Sequence, residues 1–230
     1  SIVQPYGNIY SPCDYGRRSV AMNGNISYGG GKVIIQAGGG VILDGKISSC
    51  GGGSASSSDN YATGSGGSID ITAASFSGAG SVNASGKDPA KNYGNSYPGS
   101  GGRIAIKLTG ADSTFDGFTG KITAYGGARP KSDVIAGSGT IYLKTGAQSL
   151  QEGTLIIAGS SVKAGYTVLG GEVAGLEFGT IIVTNASLRI AENTRLKVSG
   201  DFLNYGRVDA ESGSSVELVG NSPATFVGDT

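Results

Sequence analysis

The sequence predicts an all-β fold of stacked repeats, a single-stranded parallel β-helix (β-solenoid) with glycine-rich loop insertions. Short strands of alternating β-branched residues return at nearly constant spacing, glycine-rich segments separate them, and helical periodicity is absent. We expect one domain over residues 1–230. It consists of an N-terminal cap at 1–28, repeats with long inserts at 29–160, and short repeats at 161–230.

The longer repeat is two small residues followed by a strand of the form Ile-x-Ile. Its marker residues are separated by 36, 35 and 37 positions and are Val33, Ile69, Ile104 and Ile141. Because side chains alternate along a strand, the markers and the residues two positions later are expected to face the core. The intervening residues are expected to point outward to solvent; they are Ile34, Asp70, Ala105 and Tyr142.

Each longer repeat also contains a second short strand and an insert. The second strands centre on Ile47, Val82 and Ile122, each shortly after a glycine. The inserts are rich in glycine, serine and tyrosine and cover 51–67, 86–102 and 126–139. Inserts that leave successive repeats at the same corner are expected to stack side by side. We call these three segments the wing.

A shorter period of 20 residues runs through the C-terminal third. It aligns three apolar sets, which are Val168/Leu188/Val208, Leu176/Leu196/Val216 and Phe178/Val198/Leu218. It also aligns Glu177, Lys197 and Glu217 as an outward ladder of alternating charge, whose neighbours attract. The longer repeats are then the same unit plus an insert of roughly 15 residues.

Charge and hydropathy argue against nucleic acid and membranes as partners. The 17 basic residues balance the 17 acidic ones, so no net field draws the chain toward nucleic acid or an anionic membrane. No apolar run approaches the roughly 18 residues of a membrane span, so membrane insertion is not expected. The chain has the character of a mature or excised soluble segment.

Two cysteines and three glycosylation motifs bear on structure and location. Cys13 and Cys50 are predicted to form a disulfide that closes the N-terminal segment onto the first repeat. The chain has no histidine and no Cys-x-x-Cys spacing, so a metal site on cysteine is not supported. Asn-x-Ser motifs would permit glycosylation in a eukaryotic secretory pathway at Asn25, Asn83 and Asn185.

Two segments carry a family resemblance. Residues 200–208 and 213–220 resemble the coils of right-handed parallel β-helix surface proteins and adhesins of bacteria. The Gly-Ser-Gly-Gly-x-Ile-x-Ile repeats resemble the glycine-rich arrays of large secreted and surface proteins. The resemblance spans about residues 29–228 and implies a right-handed coil, a secreted or cell-surface location, and a role in adhesion, matrix or filament building. It implies no functional residue and no cofactor.

Enzymes of the pectate-lyase-like and polygalacturonase-like classes also use this fold, with clustered Asp residues for calcium or acid/base chemistry. Asp70 lies beside Arg103 and Lys107, but the positions that stack on it carry no second acid. A non-enzymatic protein is therefore expected, with a carbohydrate-active enzyme as an alternative. A structural calcium ion at Asp112 and Asp116 is a further possibility, although this spacing is also typical of an ordinary turn.

Tyrosines in and beside the inserts are the best candidates for a contact surface. The set, with its neighbouring arginines, is Tyr61, Tyr93, Tyr97, Tyr125, Arg103 and Arg129. The rings either hold the glycine-rich loops in place, contact another subunit, or form a platform for sugar rings. We predict a structural or adhesive extracellular module that self-associates into a fibre or surface layer, with a carbohydrate-binding module that recognises polysaccharide as the alternative.

Overall fold

The structure is a computed structural model that describes residues 8–20, 26–53, 63–89, 97–170, 175–220 and 226–227. Within these ranges the chain is all-β and contains no helix, which confirms the predicted class. The strands are β1 (Ser19–Val20), β2 (Ile26–Ser27), β3 (Lys32–Gln36), β4 (Val41–Ile42), β5 (Lys46–Ser48), β6 (Ser68–Ala73), β7 (Phe76–Ser77), β8 (Ser81–Asn83), β9 (Arg103–Leu108), β10 (Lys121–Thr123), β11 (Thr140–Lys144), β12 (Thr154–Ala158), β13 (Tyr166–Leu169), β14 (Gly175–Phe178), β15 (Thr180–Ile190), β16 (Arg195–Val198), β17 (Phe202–Ala210), β18 (Ser215–Leu218) and β19 (Phe226–Val227).

The main sheet receives one strand from each longer repeat. Its strand order is β3-β6-β9-β11-β12-β15-β17-β19, with β13 paired beside β15. The pairing places Val33 beside Ile69, Ile69 beside Ile104, and Ile104 beside Ile141. The predicted register of the four marker residues is thus confirmed. All pairs from β3 to β11 are parallel.

The chain also forms two smaller parallel sheets, one from the longer repeats and one from the 20-residue repeats. The second sheet has the order β5-β8-β10 and pairs the predicted residues Ile47, Val82 and Ile122. The third sheet has the order β14-β16-β18 and confirms two of the apolar sets predicted from the 20-residue period, those that begin at Leu176 and Phe178. The same sheet aligns Glu177, Lys197 and Glu217 as predicted.

The prediction for the apolar set Val168/Leu188/Val208 is wrong at Val168. Leu188 pairs with Val208 as predicted, but it lies beside Thr167 and not beside Val168. The buried Thr167 hydroxyl donates a hydrogen bond to the Ser138 carbonyl at 2.6 Å. This internal acceptor lets a polar residue occupy the position that the hydrophobic pattern gave to valine.

The parallel order breaks once, between β11 and β12. These two strands pair antiparallel, with Ile141 beside Ile156 and Tyr142 beside Leu155. The connection of residues 145–153 is too short for the crossover of a dozen or more residues that parallel pairing needs, so the chain returns as a hairpin. The strands after it run opposite to those before it.

The reversal gives the main sheet a hydrophobic core on each face. One, the first core, contains Ile69, Ile71, Ile104, Ile106 and Ile141. The other, the second core, contains Tyr142, Leu155, Ile157, Ile181 and Val183. Ile141 and Tyr142 are consecutive in β11 and therefore point to opposite faces.

The prediction that the intervening residues face solvent holds for one of four. Ile34 is 50% exposed, but Asp70, Ala105 and Tyr142 are buried. Residues 8–16, the N-terminal strap, contact this face of the sheet. The Tyr10 ring packs edge-to-face on Tyr142 at 5.0 Å between centroids, and Ile9 joins the second core. The strap has no repeat pattern, and no feature of its residues predicts that it covers these positions.

Where the inserts lead back into the main sheet, backbone packs directly on the backbone that follows the strands of the second sheet. This glycine layer comprises Gly30, Gly66, Gly67, Gly101, Gly102 and Gly139. The Gly67, Gly102 and Gly139 amides donate to the carbonyls of Ser49, Ala84 and Ala124 at 2.7–2.8 Å. A Cβ on Gly66 would lie 1.8 Å from the Ala84 carbonyl oxygen. The strands approach this closely only because no side chain intervenes.

Backbone hydrogen bonds join the inserts near their bases. The Gly64 carbonyl accepts from the Lys87 amide, the Lys87 carbonyl from Gly99, and the Gly99 carbonyl from Gly127. The first bond joins the second insert to the first, the next lies within the second insert, and the last joins the third insert to the second. Neighbouring inserts are therefore in direct backbone contact near the main sheet.

We predict that Gly66→Ala lowers the free energy of unfolding by about 3 kcal/mol, because the new methyl group meets fixed backbone atoms. Gly31→Ala is the matched control, since a Cβ there meets nothing within 4 Å, and it should change stability by less than about 1 kcal/mol. Guanidinium denaturation measures both. Equal midpoints for the two variants would contradict the description of the layer.

Candidate functional site

A groove of about 400 Å³ opens beside the glycine layer. Arg103 and Thr140 begin β9 and β11, and they are neighbours because parallel strands start at the same edge of a sheet. Tyr166 begins β13, which pairs with the same sheet through β15. Arg17 and Arg18 precede β1, and Tyr97 lies in the second insert. The repeat thus places residues from distant segments around one opening.

Two residues that line the groove carry buried hydroxyl groups. Ser138 and Thr140 line it and are 6% and 3% exposed. Their hydroxyl oxygens have no hydrogen-bond partner within the described ranges. Nearly all buried polar groups in proteins are hydrogen-bonded, so these two oxygens, each with less than 1 Å² of accessible surface, are exceptions.

The lining of the groove is positively charged. Arg17, Arg18 and Arg103 line it, and its described lining residues include no Asp or Glu. In a chain with 17 basic and 17 acidic residues, this is a local concentration of charge. Guanidinium groups bind carboxylates and phosphates through paired hydrogen bonds.

Tyr166 is fixed at the edge of the groove by charged neighbours. Its hydroxyl donates to Asp209 Oδ2 at 2.5 Å, and the Arg189 guanidinium lies 3.8 Å from the centre of its ring. Arg207 donates to both Asp209 oxygens, at 3.1 and 2.9 Å. The Tyr166 hydrogen bond, followed by those from Arg207, lowers the pKa of Asp209. Asp209 is therefore ionised, and its hydrogen bond to the Tyr166 hydroxyl keeps the tyrosine ring in place.

The groove brings together only part of the predicted contact surface. Tyr97 is 64% exposed and lies in the groove with Arg103. Tyr125 is also exposed but does not line the groove. Arg129 donates to the Ser132 hydroxyl from Nε and Nη2, so it helps to hold the turn of the third insert. Tyr61 and Tyr93 lie outside the described residues.

Sequence reasoning did not identify the groove residues Arg17, Arg18, Ser138, Thr140 and Tyr166. One signal was available. Ser138 occupies the position at which the earlier repeats have Gly30, Gly66 and Gly101, so it is where a side chain enters the glycine layer. The other residues belong to segments without the repeat pattern, or occupy a variable strand position.

Asp70 and Lys107 form an ion pair beneath the strap. Lys107 Nζ lies 2.7 Å from Asp70 Oδ1, and both side chains are at most 15% exposed. Ser11 donates to Asp70 Oδ2 at 2.8 Å, and Lys107 donates to the Tyr10 carbonyl at 2.9 Å. Both charged side chains therefore form hydrogen bonds with the strap as well as with each other. The arrangement serves to attach the strap to the main sheet.

Tyr142, on the same face, is a second anchor. Its hydroxyl donates to the Leu150 carbonyl, and burial raises its pKa to about 12. The Tyr10 hydroxyl donates to the Glu177 carbonyl at 2.7 Å, and burial raises its pKa as well. Both phenols are therefore neutral donors at physiological pH.

The predicted Cys13–Cys50 disulfide is not formed, since both thiols are free. Cys13 belongs to the strap and is exposed, and its neighbour Asp14 accepts a hydrogen bond from Ser68 of the main sheet. The Cys50 thiol instead donates to the Asn83 carbonyl at 3.6 Å, on the second sheet. The strap is held against the main sheet, and its attachment does not depend on a covalent bond.

The remaining predicted sites are dispersed. Asn83 lies in β8, where its side chain accepts from the Ser85 amide, and Asn185 is exposed in β15 with φ +46°. Asn25 lies outside the described residues. Asp112 and Asp116 are exposed, and Thr114 donates to Asp116. The described residues contain no cluster of three potential metal ligands from His, Cys, Asp and Glu.

Comparisons of the chain with protein-family models, with curated proteins and with solved structures found no match. Among the described residues, no helix has the length and apolar character needed to cross a membrane. Function is therefore inferred from the groove, the edge strands and the charges of this chain.

We predict that Lys107→Met lowers the free energy of unfolding by about 3 kcal/mol, because it leaves the Asp70 carboxylate buried without its cation. Arg195→Met is the matched control: it breaks an ion pair with Glu217 whose arginine side chain is 60% exposed, and it should cost less than about 1 kcal/mol. Urea denaturation gives both values. Hydrogen exchange should also become faster within residues 8–16 of the Lys107 variant alone; equal losses in both variants would contradict the anchoring role.

Proposed function

We propose that this chain is a non-enzymatic structural and adhesive module of an extracellular surface, and that it self-associates through the ends of its stacked sheets. In this proposal the repeats wind as a right-handed β-solenoid with the wing on one side. The in-register pairing of one strand per repeat in the main sheet and one in the second sheet supports the winding. The laddered backbone would make such a module stiff.

The edge strands carry the proposal of self-association. At one end of the stack, β3, β4 and β5 each pair on one side only among the described residues. Apolar side chains are exposed there, with Ile34 at 50% and Ile42 at 76%. At the other end, β18 is an edge strand, and Leu218 and Val219 are 44% and 45% exposed. Unpaired strand edges with exposed apolar side chains favour pairing with another chain.

Strand direction fits end-to-end docking. If a second copy follows the first by translation along the stack, its β3 approaches β19 of the first copy. Because direction reverses between β11 and β12, those two edges would run antiparallel, as β11 and β12 already do within the chain. A contact between different ends does not close on itself, and it therefore propagates into a fibre.

The charge pattern supports a role without catalysis. Hydrolysis of a glycosidic bond uses two carboxyl groups about 5 to 10 Å apart. No carboxylate lines the groove within the described ranges, and Asp70 is enclosed with Lys107 beneath the strap. The same groove supplies the surface for the adhesive part of the proposal.

We predict that the double variant Ile34→Lys, Ile42→Lys assembles at least about tenfold more weakly than the unmodified chain, because both changes place charge on an exposed apolar edge. The control Leu150→Lys, Val162→Lys adds the same charge at exposed apolar residues outside the strands and should assemble normally. Light scattering after size-exclusion chromatography, with electron microscopy of the same samples, measures assembly in reducing buffer.

Filaments or larger oligomers of the unmodified chain, absent from the edge variant, would support the proposal. A chain that stays monomeric at high concentration in reducing and non-reducing buffer would overturn self-association. Equal assembly of the edge variant would place the contact elsewhere and overturn docking through the ends.

A further inference from the structure

We infer that the groove beside the glycine layer binds an extended, glycine-containing peptide segment of a partner protein through main-chain hydrogen bonds. The inference names the kind of partner for the adhesive part of the proposed function and rests on that part alone. It does not require self-association. Three observations support it: an occupied counterpart of the site within the chain, unpaired main-chain groups in the groove, and a floor of glycine.

The first repeat shows how such a segment is held. Residues 15–17, which lead into β1, lie beside the starts of β3 and β6. The Gly16 amide donates to the Gly30 carbonyl at 2.8 Å, and the Ser65 amide donates to the Arg17 carbonyl at 3.1 Å. One acceptor and one donor of the repeat therefore bind two consecutive residues of an extended segment.

The same main-chain groups recur in the later repeats. Strand register makes Ser100 and Gly137 the counterparts of Ser65, and Gly101 the counterpart of Gly30. The contact between successive repeats is also preserved. The Gly30 amide donates to the Ser65 carbonyl at 2.8 Å, and the Gly101 amide donates to the Gly137 carbonyl at 2.9 Å. The later repeats thus present donors and acceptors in the arrangement that holds residues 15–17.

In the groove these counterpart groups are unpaired. The Ser100 and Gly137 amides and the Gly101 carbonyl form no hydrogen bond with any described residue. All three residues are partly exposed and line the groove. The series ends at the next counterpart, because the Ser138 carbonyl accepts from the Thr167 hydroxyl at 2.6 Å. The unpaired groups therefore lie between residues 15–17 on one side and β13 on the other.

A peptide main chain matches these groups. An extended segment that lies beside another chain gains affinity from main-chain hydrogen bonds, since it offers N–H and C=O groups in alternation. The groove has room for a short segment, because its volume of about 400 Å³ lies within the range of ligand pockets, about 300 to 1,000 Å³. The counterpart position in the first repeat is itself filled by peptide, which favours peptide over a sugar chain.

The close approach requires glycine in the bound segment. A Cβ on Gly16 would overlap the Ser65 carbonyl oxygen and would lie 2.6 Å from the Gly30 nitrogen. The floor of the groove is also without side chains at Gly101 and Gly102. A bound segment can therefore reach the main-chain groups of the floor only where its own residue lacks a Cβ.

Backbone NMR titration of the full chain with a synthetic peptide tests the inference. The probe is acetyl-Asp-Tyr-Gly-Ser-Ser-amide, which copies residues 14–18 with serine in place of both arginines. It should shift the amide resonances of Ser100 and Gly137 in a saturable manner. The same peptide with alanine in place of glycine should bind at least about fivefold more weakly, because its methyl group meets main-chain atoms.

Cellohexaose is titrated in parallel, because a sugar chain is the other candidate occupant of the groove. Four results would each overturn the inference. They are no saturable shift with the glycine peptide, equal affinity for the glycine and alanine peptides, shifts confined to residues outside the groove, and tighter binding of cellohexaose to the same amides.

Two variants at one position identify the site. Ser100→Pro removes the unpaired N–H and keeps the carbonyl that accepts from Gly66. Ser100→Ala keeps the N–H and removes the hydroxyl that donates to Ser65 at 3.0 Å. The proline variant should bind the glycine peptide at least about fivefold more weakly, and the alanine variant within about twofold of the unmodified chain. Equal affinities of the two variants would overturn the assignment. If the proline variant does not fold, the shift map of the unmodified chain decides.

The titration is run on the Ile34→Lys, Ile42→Lys variant as well as on the unmodified chain. Binding by this edge variant separates peptide recognition from assembly. If self-association fails but the glycine-selective binding is found, the inference stands; if assembly is found and binding is not, the inference alone is overturned.

Discussion

Close packing of backbone on backbone in the glycine layer is the constraint on which the rest of the structure depends. The amides of Gly67 and Gly102 reach carbonyls of Ser49 and Ala84 at 2.8 Å, and no side chain separates the strands. This contact fixes where each longer repeat re-enters the main sheet. It also fixes the bases of the wing inserts, because each insert begins or ends at these glycines. The groove lies beside the paired starts of β9 and β11, where Ser138 replaces the glycine of the earlier repeats.

The hairpin between β11 and β12 is the second organising feature. It reverses strand direction and moves the hydrophobic core from one face of the main sheet to the other. The strands that pack the first core on one face have an opposite face that the second core covers only in part. The strap supplies that cover with Ile9 and Tyr10, and the Asp70–Lys107 pair anchors it. A chain with 43 glycines thus obtains order from sheets and backbone contacts more than from bulky side chains.

Strand register was predictable from the sequence, and solvent exposure was not. The spacing of Val33, Ile69, Ile104 and Ile141 determined the pairing because β-branched residues at period two mark the buried face of each strand. The opposite face of the same strands carries Asp70 and Lys107, which are the residues expected on a solvated surface. Only the three-dimensional path of the strap, which has no repeat pattern, reveals that they are buried. The groove was partly predictable: Tyr97 and Arg103 were identified, whereas Arg18 and Tyr166 reach it through connections that no local pattern encodes.

Amide hydrogen exchange at the glycine layer tests the central claim most directly. If backbone packs on backbone as described, the amides of Gly67, Gly102 and Gly139 exchange as slowly as that of Ile104 in the main sheet, within about tenfold, because opening them requires separation of the sheets. Exchange at these glycines with the rate of an unstructured peptide, while Ile104 remains protected, would contradict the account.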